Sequence, residues 1–117
     1  MNLSIKSPHW HRVSGSRPRL RGHVEIHRHF YRGQKWYLVQ DHSSGRFHRF
    51  SEDAYEVVAL LDGVRTLDEI WRLLVRRHDD SVMRQDDVLQ LLAKLYRADA
   101  LITDSPPDTD ELYSRLE

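Results

Sequence analysis

The hydrophobic pattern of this chain changes period once, near Ser51, and that switch dictates a sheet made first and helices packed on it afterwards. Upstream the period is two. Val24, Ile26, Arg28 and Phe30 fall on one face of an extended segment; His23, Glu25, His27, His29 and Tyr31 fall on the other. Arg32-Gly33-Gln34 and Asp41-His42-Ser43-Ser44-Gly45 carry the residues that tight turns need. The pattern predicts strands over 23–31, 35–41 and 46–50, joined as an antiparallel meander. Downstream the period is helical. Ser51 is an N-cap with Glu52 and Asp53 behind it, and Gly63 is placed to end that helix. Thr66-Leu67-Asp68-Glu69 is a capping box. Helices are predicted over 52–62, 67–78 and 85–98, with Leu101-Ile102 returning to the core. Ile26, Val58, Leu61, Trp71, Leu74 and Leu92 are the expected core. Strands followed by helices without alternation give an α+β class, with the parts of a winged helix-turn-helix whose three-stranded meander precedes three helices.

With 117 residues, the chain has room for one domain and short flanks. Residues 1–21 hold Pro8, Gly15, Pro18 and scattered arginines and are expected to be an N-terminal arm, with His9, Trp10 and Val13 able to dock on another surface. Residues 22–102 are the domain. Residues 103–117, Pro- and Asp-rich at their start, are a linker or the beginning of a following region. No run of residues is apolar enough to span a membrane, and the N-terminus lacks a signal-peptide stretch. The chain has no cysteine, so disulfides, thiolate nucleophiles and thiolate metal sites are excluded. A cytoplasmic setting is compatible with this.

The zero net charge conceals an asymmetry. Residues 1–50 carry ten basic and two acidic side chains; residues 51–117 carry eight basic and sixteen acidic. The basic half suits an acidic partner. Side-chain catalysis has no support: the serines lie in turns, the glycines are scattered singly, and the carboxylates sit where helix capping explains them. No enzyme activity and no cofactor are expected. Glu25, His27 and His29 share a strand face with His23, a weak metal-site pattern that lacks a second ligand cluster, and His48 joins it only if it shares that face. A DNA-binding winged helix regulator is the alternative reading. Against it, the would-be recognition helix opens with Asp86 and Asp87, which oppose phosphate, so no specific nucleic acid is expected.

The last strand of the meander, Arg46-Phe47-His48-Arg49-Phe50, is short, basic and aromatic. As an edge it would offer unpaired backbone groups to another strand. Beside it, Leu89, Ala93 and Tyr96 widen the apolar stripe of the third helix. They either complete the core or line a docking face next to that edge.

Trp36-Tyr37-Leu38-Val39-Gln40-Asp41, Ser44 to Phe50, Tyr55, Leu61-Asp62-Gly63-Val64-Arg65-Thr66 and Glu69-Ile70-Trp71 together resemble the PqqD-like family. These are the precursor-peptide recognition elements of ribosomally made, modified peptide pathways. The likeness spans about 22–102 and is similar to the version found ahead of membrane-embedded site-2-type zinc metalloproteases. It implies a sheet-first winged helix-turn-helix that binds a leader peptide as an added strand. By that resemblance Arg46, Phe47, His48 and Arg49 would hold the peptide backbone, and Leu89, Ala93 and Tyr96 would line side-chain pockets. It also implies attachment to a membrane domain, at the cytoplasmic face. The same edge would suit a homodimer.

Overall fold

The computed structural model describes residues 8–41, 44–78 and 84–103. A short helix α1 (Trp10–Val13) leads into β1 (Arg19–Leu20). The meander follows as β2 (Val24–Tyr31), β3 (Gln34–Asp41) and β4 (Arg46–Ser51), antiparallel in the order β2-β3-β4. Then come α2 (Glu52–Ala59), α3 (Leu67–His78), α4 (Gln85–Arg97) and β5 (Leu101–Ile102). The α+β class and the sheet-first order are as the period switch predicts.

The register sorts the sheet into two faces. Ile26 pairs with Val39 and Val39 with His48, while Tyr37 pairs with Phe50; these residues face the helices. His27, Leu38 and Arg49 lie across from one another on the opposite face. Val39 and Phe50 join Val57, Val58, Leu67, Ile70, Leu74, Val88, Leu92 and Leu95 in one buried cluster. Val24 and Ile26 are half-buried, but the rest of β2 is exposed, with Phe30 65% accessible. The reason is length: Trp36 pairs with Ser51, the last residue of β4, so the hairpin rungs from Phe30 to Lys35 extend past the third strand. Their alternation is real, but only its first half meets a core. Lys35 reaches back to Glu52 at 3.0 Å.

The helix caps follow the expected chemistry. Ser51 Oγ accepts the Ala54 N–H at 3.3 Å. Thr66 and Glu69 cap reciprocally: Thr66 N–H donates to Glu69 Oε1 at 2.9 Å, and Glu69 N–H donates to Thr66 Oγ1 at 3.2 Å. Helix α2 stops earlier than predicted. Leu60 and Leu61 turn inward through bonds to the carbonyls of Val57 and Val58, and both side chains are buried. Gly63 (φ +78°) therefore serves the following turn and not the helix end.

That turn is built on Asp62. Its Oδ1 accepts the N–H groups of Val64 and Arg65, each at 2.9 Å, and its Oδ2 takes Arg65 Nη1 at 2.7 Å. The N-terminal segment closes onto it. Gly63 N–H donates to Pro18 O, Leu67 N–H to Ser16 O and Asp68 N–H to Ser14 O. Residues 10–20, expected as an arm, are therefore an ordered layer of the fold. Trp10 and Val13 are buried, and β1 pairs with β5 (Leu20 with Leu101). Trp71, expected in the core, is half-buried at its border, where its ring packs against Trp10 at 5.8 Å. Trp10 Nε1 in turn donates to Asp68 Oδ1 at 3.3 Å.

Three outcomes follow from this packing. Leu92 is fully buried, and Leu92→Ala should lower the unfolding free energy by about 2–5 kcal/mol in a denaturant titration. Gly63→Ala should cost about 1–2 kcal/mol or more, since a left-handed backbone disfavours a Cβ and that atom would sit 3.0 Å from Arg19 Cδ. The third concerns acid. The backbone N–H groups of Arg65 and Val64, aided by the Arg65 guanidinium, hold the Asp62 carboxyl below its ordinary value; the Thr66 backbone N–H and hydroxyl do the same for Glu69. Groups depressed in the folded state stabilise it fully above their ordinary values, 3.8 and 4.5, and that stabilisation drains away as pH falls through the depressed folded values. Asp62→Asn should flatten the acid limb of a stability-versus-pH curve while keeping its shape at neutral pH.

Candidate functional site

A strand at the end of a sheet has one row of backbone groups without a strand partner, and β4 is in that position. Its side chains split by alternation. Phe47 and Arg49 point to the face away from the helices, and Phe47 is 56% exposed. Arg49 lies over the Trp36 ring of β3, 4.4 Å from its centroid, which pins the guanidinium across the sheet. Arg46 and His48 are on the helix-side face, Arg46 exposed and His48 half-buried. Phe50, next on that face, is closed into the core.

Helix α4 flanks the same edge. Lys94 Nζ sits over the Phe50 ring at 4.7 Å and donates to the Arg49 carbonyl at 3.4 Å. A side chain from α4 thus reaches the backbone of β4, and the two elements form the walls of a shallow groove. Asp86, Asp87, Gln90, Lys94 and Arg97 are the exposed residues of this helix. Asp87 is engaged at its start, where its Oδ2 accepts the Arg84 N–H at 3.2 Å.

The structure brings Arg46, Phe47, His48 and Arg49 together on one six-residue strand. It places Leu89 and Ala93 behind the groove: they are 1% and 0% exposed and belong to the core cluster. Tyr96 is half-buried against that cluster. Of the two readings of the widened apolar stripe, completion of the core accounts for Leu89 and Ala93. The α4 residue that reaches the edge is Lys94, which the sequence does not single out. Its position three turns into an amphipathic helix marks it only as solvent-facing. What singles it out is the neighbouring strand, which the sequence of the helix does not contain.

The electrostatics of the edge are one-sided. Among the described residues, Arg46, Arg49 and Lys94 have no carboxylate at ion-pair distance. A partner with acidic residues would find three cations along one strand edge. The histidine-rich surface shares the sheet face of Phe47 and Arg49 but lies on β2, two strands from the edge. Glu25 and His27 contact each other at 3.3 Å on the face away from the helices, and His48 is on the opposite face. Among the described residues, no three side chains of the His, Asp and Glu types are grouped so as to hold a metal ion. No helix among them is long and apolar enough to cross a membrane.

Comparison with known families matches residues 37–101 to the one described as Coenzyme PQQ synthesis protein D (PqqD). The matched stretch takes in most of β3, all of β4 and the helices from α2 to α4, and so both walls of the groove. Neither curated proteins nor solved structures yield a match.

Proposed function

The chain belongs to the PqqD family, and from that membership we propose that it is a non-catalytic recognition domain that binds a leader-like peptide segment by strand addition along β4. The observation that carries this reading is the free edge of β4, flanked by α4 and lined with Arg46, Arg49 and Lys94. Backbone pairing to the edge supplies affinity that is indifferent to sequence. The side chains on its two faces supply selectivity: Arg46 and His48 toward the helices, Phe47 and Arg49 away from them. An incoming acidic residue meets cations that have no carboxylate partner among the described residues, and an incoming apolar residue meets Phe47. Leu89, Ala93 and Tyr96 serve as the floor that keeps α4 at a constant distance from the strand. A peptide reaches the side chains of the first two only if that floor opens.

The reading extends to the setting of the domain. Attachment to a larger membrane-associated peptidase or export protein, with the domain at the cytoplasmic face, accords with the family likeness of the strand and turn motifs. The same edge is competent to pair with a second copy of the chain, so self-association and peptide binding would compete for it.

An amide NMR titration with a synthetic peptide of alternating acidic and aliphatic residues tests the assignment. Shifts should concentrate at 46–50 and around Lys94, with backbone contacts between peptide and β4. Arg49→Glu should weaken binding by about tenfold or more, the effect of losing an interface arginine worth upwards of 1 kcal/mol. Leu89→Asp is a poor test because it places a charge in the core. Shifts confined to the His27–His29 face would sink the strand assignment.

A further inference from the structure

Helix α3 and the turn before it enclose a second, separate depression. It has a volume of about 290 Å³ and is lined by Arg65, Glu69, Arg72, Leu73 and Arg76. Two of its arginines are oriented by carboxylates that do not line it. Arg65 Nη1 bonds Asp62 Oδ2 at 2.7 Å, and Arg72 Nε bonds Asp68 Oδ2 at 2.8 Å. Each guanidinium has further N–H groups beyond these bonds, in a fork of known direction. Arg76 has no carboxylate partner among the described residues. Glu69 is partly spent as a counter-ion, because its Oε1 accepts the Thr66 N–H at 2.9 Å in the helix cap. Leu73 adds a half-buried apolar patch. The adjoining turn is rigid: Arg17 Nε bonds the Val64 carbonyl at 3.2 Å, while the Val64 side chain stands 73% exposed.

We propose that this depression is a second binding site, which takes the carboxylates of an acidic, partly aliphatic segment of a partner protein. Arg72 and Arg76 receive the carboxylates, and Leu73 receives an aliphatic side chain. Guanidinium forks match carboxylate and phosphate geometry alike. The ionised Glu69 among the arginines decides between them. It repels a densely charged phosphate more than carboxylates spaced along a chain, and Leu73, the one apolar residue of the lining, offers a phosphate nothing. The site shares no residue with the β4 edge, so it stands whether or not a peptide adds to that strand. A domain with both sites holds one peptide along its sheet and a second protein on α3.

The test is an amide NMR titration of the full chain with a short synthetic peptide of Glu and Leu residues. Parallel titrations use inorganic pyrophosphate and a DNA duplex. Peptide shifts are expected at residues 64–77. Arg76→Glu should weaken the affinity read from those residues by about tenfold or more and leave the thermal midpoint nearly unchanged, since this exposed side chain has no ion pair among the described residues. Arg49→Glu should leave that affinity unaltered, which separates failure here from failure at the strand edge. The proposal is overturned if Arg76→Glu binds as tightly as the parent chain, or if residues 64–77 do not shift. Tighter binding of pyrophosphate or DNA than of the peptide at these residues overturns the choice of carboxylates.

Discussion

The fold turns on one carboxylate. Asp62 accepts two backbone N–H groups and one guanidinium within four residues, and so sets the direction in which α3 departs from α2. The left-handed Gly63 beside it leaves no room for a Cβ against Arg19, which brings the N-terminal segment close enough to bond. Ser14, Ser16 and Pro18 then offer carbonyls to the N–H groups of Asp68, Leu67 and Gly63. Two of these donors belong to the first turn of α3, which has no intrahelical acceptor for them. The N-terminal layer thus completes a helix start as well as covering Trp71. Without the Asp62 turn, neither the layer nor the helix has its partner.

The β4 edge has a different character. An exposed strand edge invites indiscriminate pairing unless charge or shape restrains it. Here Arg46 and Arg49 supply the charge, and Lys94 occupies one carbonyl of the strand. Behind the edge, Leu89 and Ala93 are closed into the core. Peptide recognition by such a surface, as proposed above, would rely on backbone groups and a few cations. The family match covers the strand and the helix beside it.

How much of this was legible beforehand depended on range in sequence. Elements whose cause is local were readable: the Ser51 and Thr66 caps, the turn at Gly33 and the helical stripes of α3 and α4 all emerge within a residue or so of their expected limits. Features that depend on distant partners were not. Phe30 alternates correctly yet stays in solvent, because the length of β4 decides where the core ends. Trp10 and Val13 look like arm residues until α3 offers them a surface. Leu89 and Ala93 share a period with core residues, and only the three-dimensional packing shows them behind the groove. The identity of the β4 residues at the edge was readable because strand order in a meander follows chain order; Lys94 was not, since its role comes from a strand more than forty residues away.

The pairing of Leu20 with Leu101 has a kinetic meaning. It joins segments near opposite ends of the folded chain, and such contacts are the slowest to form because the whole intervening chain must first be ordered. During synthesis β1 leaves the ribosome before the meander and the helices, and β5, the strand it pairs with, follows them. Leu20 therefore has no strand partner until Leu101 has been made, with eighty residues between them.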